Sequence, residues 1–181
     1  MKKTSIIIGF SRPKGFFKPF SWLIRLATWS SISHAYIRFN SRDFDQNVVY
    51  QASGLAVNLV SQEFFDKKEI VCKEFIIPIN LKTKEKTLKN AARNLGKPYS
   101  VVQIVGFGFV LMAGIFGLKI RNPFYSKSSF FCSELASDII IEVGDATKET
   151  VDPSAMSPQA ICNYLESKDF KSRKLKRRKS R

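Results

Sequence analysis

The chain has 181 residues, of which 44% are hydrophobic and 13% aromatic, a composition that excludes an intrinsically disordered body and predicts a packed core. Its length fits one domain, predicted at residues 1–170. The net charge is +15, and the final eleven residues hold eight Lys or Arg and no acid, so 171–181 is predicted to be a basic, disordered tail.

Strand patterns dominate the first half of the chain. Residues 4–10 predict a first strand, and apolar residues at helical spacing predict a helix over 16–30. A strand over 31–39 follows. Residues 47–52 and 55–60 predict a hairpin around Ser53-Gly54, and 69–79 predicts another strand.

Helix patterns dominate the second half. Apolar residues fall on one side of a helix over 83–95, with Thr83 as its expected N-cap and Gly96 as its stop. A further helix is expected over 131–143, and Ser157-Pro158 is typical of the start of a last, short helix. Strands followed by helices predict an α+β fold with an antiparallel sheet packed against helices.

The segment 101–118, VVQIVGFGFVLMAGIFGL, contains one polar side chain. Its length is at the lower limit for crossing a bilayer. Three interpretations stay open: a membrane-spanning helix, a helix buried on all sides within the domain, and a helix that lies at a membrane interface.

The apolar run at 6–10 is too short for the core of a signal peptide and is followed at once by Ser-Arg-Pro-Lys. We therefore expect no signal peptide and a cytoplasmic protein, with 171–181 as a candidate contact to an anionic membrane surface. Nucleic acid is not an expected partner, because no aromatic residues interleave the basic tail.

The chain has three Cys and a single His. That set contains no CxxC and no zinc-ligand spacing, so we expect neither a metal nor another cofactor, and no disulfide framework. Cys132 lies at the predicted start of a helix, where backbone N–H groups favour a thiolate. A nucleophilic thiol needs a base, and His34 is the one imidazole; Gln51 is the polar residue in the next strand that could orient it.

Two motifs place these residues in a family. LGKPYS (95–100) followed by FCSEL (131–135) resembles the LG-x-PY and CS-x-L motifs of NlpC-type papain-like cysteine amidases. The His-bearing SHAYIRF precedes the Cys motif here. That order resembles the circularly permuted branch of the superfamily, which includes YiiX- and YaeF-like hydrolases and the lecithin retinol acyltransferase group. VVYQASGLAV and SPQAI are similar to later motifs of that branch.

The resemblance implies a papain-like fold of the permuted NlpC type. It implies a hydrolase or acyltransferase that attacks an amide or ester through an acyl-enzyme. Cys132 matches the nucleophile, His34 the general base and Gln51 the residue that orients it. Tyr99 matches a residue that shapes the site, and Ser133 and Tyr36, which lie in the same motifs, are further candidates for shaping the site or binding substrate.

The sequence departs from the family pattern in two places. Gln51 stands where a Glu is frequent, so the third residue is neutral, and the insert between Tyr99 and Cys132 is unusually apolar. The substrates that fit the resemblance are a peptidoglycan peptide, an isopeptide or a lipid acyl group. The alternative is a non-catalytic membrane-associated module that uses segment 101–118 and the basic tail.

Overall fold

A computed structural model describes residues 3–15, 19–41, 45–54, 56–118, 120–124, 126, 129–144, 146–168, 170 and 172–173. Within them the strands are β1 (Lys3–Pro13), β2 (His34–Ser41), β3 (Gln46–Ser53), β4 (Ala56–Ser61), β5 (Glu69–Asn80) and β6 (Ser172–Arg173). The helices are α1 (Pro19–Ala27), α2 (Gln62–Lys68), α3 (Leu81–Asn94), α4 (Val101–Ile115), α5 (Cys132–Glu142) and α6 (Pro158–Ser167).

The strands form one antiparallel sheet in the order β4-β3-β2-β1-β5-β6. The middle stretches of the two central strands, 6–10 of β1 and 35–39 of β2, are mostly apolar and mostly buried, as expected where both faces of a sheet are covered. The sheet packs against helices, which confirms the predicted α+β class.

Alternation along the strands divides the sheet into two faces. One face packs against α3, α5 and α6 to form the main core, which includes Ile6, Ile8, Phe10, Ile37, Phe75, Leu135, Ile140 and Leu165. The other face packs against α2, where Phe65 contacts Tyr36 and Val49. The domain core therefore joins residues from both ends of the chain.

Helix α2 is absent from the sequence prediction. It has only seven residues and buries one of them, Phe65. A single buried residue gives no helical spacing of apolar residues in the sequence, so the pattern could not predict this helix. Ser61 caps it by accepting a hydrogen bond from the Phe64 N–H.

Of the predicted helix ends, some agree with the structure and one does not. The N-cap of α3 is Asn80, whose side chain accepts a bond from the Thr83 N–H, so the assignment of Thr83 as cap is wrong. Gly96 ends that helix with a positive φ of 79°, as expected. Ser157 caps α6 and Pro158 opens it, which is also as expected.

Segment 101–118 contains helix α4, which ends at Ile115. The interpretation as a helix buried on all sides is wrong, since Val102, Phe109 and Met112 are half or more exposed. No helix in the described ranges is long and apolar enough to cross a membrane.

The predicted tail lies mostly outside the described residues. Within it, Ser172 and Arg173 pair with Phe75 and Glu74 at the edge of β5. The sheet therefore extends two residues into the stretch that the sequence assigned to disorder.

Candidate active site

Cys132 is the first residue of α5, and its side chain is 2% exposed. The helix start is held from outside the helix: the Phe130 N–H donates to the Pro98 carbonyl, and the Ser100 N–H donates to the Phe130 carbonyl. These two bonds fix the backbone next to Cys132 against the segment that leads into α4. Because the first N–H groups of a helix have no intrahelical partner, they can stabilise a negative charge at this position, such as that of the Cys132 thiolate.

Gln103 supplies a second anchor for the same segment. Its side-chain amide, the one polar side chain of 101–118, is buried and donates to the carbonyls of Ser126 and Ser129 and to the Ser129 hydroxyl. Helix α4 thus holds the connection that delivers the chain to Cys132.

His34 is the first residue of β2, and α5 packs against that strand. His34 Nε2 lies 2.8 Å from the side-chain oxygen of Gln51, and both residues are buried. Ser33, the residue before His34, has its carbonyl 4.0 Å from Cys132 Sγ. The strand start and the helix start therefore meet at one point.

Asn58 determines which way the Gln51 amide faces. The Asn58 side-chain nitrogen donates to the carbonyls of Ser53 and Ala56, which leaves its oxygen to accept from the Gln51 nitrogen at 3.3 Å. The Gln51 oxygen must then face His34 Nε2 and accept its proton. Nδ1 is consequently the ring nitrogen that faces Cys132.

The two reacting groups shift each other's pKa. Burial alone would lower the pKa of His34, but the hydrogen bond and charge of Cys132, with smaller contributions from Glu69 and Gln51, raise it from 6.5 to about 9. Burial alone would raise the pKa of Cys132, but the hydrogen bond and charge of His34, with the backbone N–H groups of Ala35 and Ser133, lower it. At neutral pH the arrangement favours thiolate and imidazolium.

Tyr99 lies beside this pair. Burial and the charge of Cys132 raise the pKa of Tyr99 well above its ordinary value, so its hydroxyl stays protonated. The ring packs with Ile24 of α1 and with Phe131. Since the Ser21 hydroxyl is also 2.6 Å from that of Ser33, α1 covers the site.

Two further candidates have separate positions. Ser133 is buried, and its hydroxyl has no hydrogen-bond partner among the described residues, while its N–H faces Cys132. Tyr36 lies on the same side of β2 as His34, but its hydroxyl donates to Glu74 at 2.7 Å, away from the thiol. Tyr36 therefore supports the sheet beneath His34, and substrate contact by either residue stays a prediction.

The Tyr36–Glu74 bond depends on Gly9, which pairs with Tyr36 on one side and Glu74 on the other. A Cβ at Gly9 would come within 2.1 Å of the Tyr36 ring. Arg38 completes the group with an ion pair to Glu74 at 2.6 Å.

The other cysteines lack an activating partner of this kind. Burial raises the pKa of Cys72, and burial and Glu166 raise that of Cys162 to about 12. Cys132 is thus the one thiol of the three whose environment favours the thiolate.

Sequence reasoning did not find Asn58, Gln103 or the covering residues of α1. Asn58 and Gln103 share a signal that could have found them: each is a single polar residue within an apolar run. Ser21 and Ile24 had no such signal, because their contact with the site depends on how α1 folds back across it.

These features define an α+β protein in which a polarised Cys-His pair joins a helix start to a strand start. No protein-family profile matches the chain, and no curated protein does. Among solved structures, it is similar to the crystal structure of the metalloprotein YiiX from Escherichia coli O157:H7, with a TM-score of 0.51 and 18% identity over 92% of this chain and 83% of that one. At this identity the likeness establishes a YiiX-like fold.

YiiX is described as a metalloprotein. In the described part of this chain, no group of three or more His, Cys, Asp or Glu lies close enough together to hold an ion. His34 is bonded to Gln51 and Cys132 instead.

Proposed function

We propose that this protein is a cysteine hydrolase or acyltransferase of the permuted NlpC type that cleaves an amide or ester bond. The single observation that carries the proposal is the buried His34, which lies between Gln51 and Cys132 and shifts the pKa of the thiol downward. Structural cysteines in apolar surroundings have the opposite shift. We include acyl transfer beside hydrolysis because the chain's motifs also resemble those of the lecithin retinol acyltransferase group.

The proposed reaction has two halves. The Cys132 thiolate attacks the substrate carbonyl, and the resulting oxyanion faces the N–H groups at the start of α5. As the carbonyl re-forms, the bond to the leaving amine or alcohol breaks and His34 gives that group its Nδ1 proton. The acyl group remains on Cys132 as a thioester.

In the second half, neutral His34 takes a proton from water or from an acceptor alcohol or amine as that molecule attacks the thioester. The carbon–sulfur bond breaks, the product leaves, and thiolate and imidazolium are restored. Gln51 accepts from Nε2–H throughout, which keeps Nδ1 directed at the reacting atoms. A neutral amide can do this, although it stabilises imidazolium less than a carboxylate would.

The substrate classes that this chemistry serves are a peptidoglycan peptide, an isopeptide and a lipid acyl group. We propose intact-protein mass spectrometry after incubation with an ester or amide of each class. The expected result is an acyl adduct on Cys132 that is absent from Cys132→Ala. Cys72→Ala and Cys162→Ala are the matched controls, and both should keep the adduct.

Full turnover by Cys132→Ala would overturn the proposal, as would an adduct on Cys72 or Cys162. A functional pair should also make Cys132 the fastest of the three thiols to react with a small alkylating reagent near neutral pH.

The second candidate is a non-catalytic membrane-associated module. It is favoured by one observation, the apolar side chains that α4 exposes. That role does not require a polarised thiol, so a protein that binds vesicles but forms no acyl adduct would favour it over the enzyme.

A further inference from the structure

Helix α4 exposes a continuous apolar stripe. Val102, Val105, Phe109, Met112 and Phe116 are exposed, at alternating spacings of three and four residues, which places them along one side of the helix. Fourteen residues separate the first from the last, or about 21 Å at the rise of an α-helix. Phe124 extends the stripe sideways, with its ring centroid 6.4 Å from that of Phe109.

A second helix borders this stripe. Helix α1 contacts α4, and Trp22 and Leu26 are 62% and 50% exposed, followed by Trp29 at 92%. We call the exposed side chains of these two helices, with Phe124, the apolar face. Contiguous apolar surface of this kind marks an interaction site, whereas scattered exposed apolar residues do not.

The single polar side chain of α4 is turned inward. Gln103 is the only polar residue of α4, and its amide nitrogen is bonded to Ser126 and Ser129. The stripe itself therefore offers no side chain that could make the hydrogen bonds expected at the rim of a protein interface.

The charged residues in the segments that form the apolar face have one sign. Helices α1 and α4, with residues 116–132 that connect α4 to Cys132, contain four Lys or Arg and no Asp or Glu. Arg121, next to the exposed Ile120, is itself exposed. Two copies of the face would bring like charges together, whereas an anionic surface would be attracted.

We propose that the apolar face docks on the surface of an anionic lipid bilayer. The stripe enters the boundary between headgroups and acyl chains, and the surrounding Lys and Arg contact the headgroups. This docking goes beyond the enzyme proposal and does not require it, and it deepens the second candidate by naming the surface and the lipid. It also has a consequence for that function, because the inner side of α1, through Ser21 and Ile24, covers Cys132. The outer side of the same helix would face the lipid.

Vesicle sedimentation tests the proposal on the full chain. Vesicles of phosphatidylcholine in which part of the lipid is replaced by phosphatidylserine should retain the protein, and vesicles of phosphatidylcholine alone should retain much less. Val105→Asp and Met112→Asp should each weaken retention by about tenfold or more, since each removes the burial of an apolar side chain. Phe64→Asp is the matched control. Phe64 is also an exposed aromatic residue, at 45%, but it lies on α2, which packs against the sheet and is not part of the apolar face. This substitution should leave retention unchanged.

The two tryptophans of the chain, Trp22 and Trp29, report the same event independently. Their emission should shift to the blue when phosphatidylserine vesicles are added, because docking transfers them from water to lipid. Cys132→Ala should bind like the wild type, which separates failure of docking from failure of the enzyme proposal.

Three results would overturn the proposal. One is retention of Met112→Asp equal to that of the wild type. Another is retention that is lost only when residues 174–181 are deleted, which would assign binding to the tail. The third is a stable dimer in sedimentation velocity that Met112→Asp dissociates and that does not bind vesicles, which would assign the face to a second copy.

Discussion

At the scale of single residues, the candidate site is a linear relay of four side chains. Two backbone carbonyls orient Asn58, Asn58 orients Gln51, Gln51 holds His34 Nε2, and the remaining ring nitrogen faces Cys132. Each member restricts the next, so the histidine tautomer follows from hydrogen-bond partners several residues away. Gln51, His34 and Cys132 are buried and Asn58 is half-buried, so the bond between His34 and Gln51 is strong and its loss costly.

The chain contains a single histidine, so its titration can be followed by NMR without assignment. We expect His34 in the wild type to titrate near pH 9, because the thiolate outweighs burial. In Cys132→Ala the partner is gone and burial dominates, so the pKa should fall well below 9.

Asn58→Ala provides the graded control for that titration. It leaves the thiol in place but frees the Gln51 amide to rotate, so the pKa of His34 should fall by less than in Cys132→Ala. A His34 that titrates at the same pH in the wild type and in Cys132→Ala would show that the two groups are not coupled.

At the scale of elements, the segment before Cys132 is held by its close approach to α4. Asn122 is buried against the helix, where it donates to the Gln103 carbonyl at 2.8 Å and accepts from the Phe124 N–H. Gly106 makes this approach possible, since a Cβ there would lie 2.0 Å from the Asn122 side-chain oxygen. The glycines of 101–118 thus have different roles, and only some of them are required by packing.

Gly106→Ala and Gly108→Ala form a matched pair within that helix. Gly106→Ala should lower the free energy of unfolding by about 1–3 kcal/mol, because Asn122 must move and lose its bonds. A Cβ at Gly108 meets nothing within 4 Å, so Gly108→Ala should raise it by about 0.5–1 kcal/mol. Urea unfolding measures both, and equal effects of the two substitutions would contradict the proposed role of Gly106.

At the scale of the whole molecule, one core connects the two ends of the sequence. Ile6 of the first strand and Leu165 of the last helix are fully buried in the same cluster. The prediction of a single domain over 1–170 therefore implies one cooperative unfolding transition.

Leu165→Ala tests that implication. The substitution leaves a cavity in the shared core and should cost about 2–5 kcal/mol. Tryptophan fluorescence, which reports α1, and far-ultraviolet circular dichroism, which reports the whole chain, should move to a lower urea concentration together. Two separate midpoints would instead indicate independent units.

The sequence by itself determined the secondary structure of most of the chain, its α+β class and the residues worth testing. Periodicity and caps located the strands and the longer helices, because those signals are local. The motifs around His34 and Cys132 nominated the pair, although 98 residues separate them.

Only the tertiary structure decided which of these residues meet and what surrounds them. The tautomer of His34 depends on Asn58 across a strand pair, and the cover over Cys132 depends on the path of α1. The exposed side of α4 could not be read from an almost uniformly apolar segment, because such a sequence has no polar face to reveal which side the protein leaves uncovered.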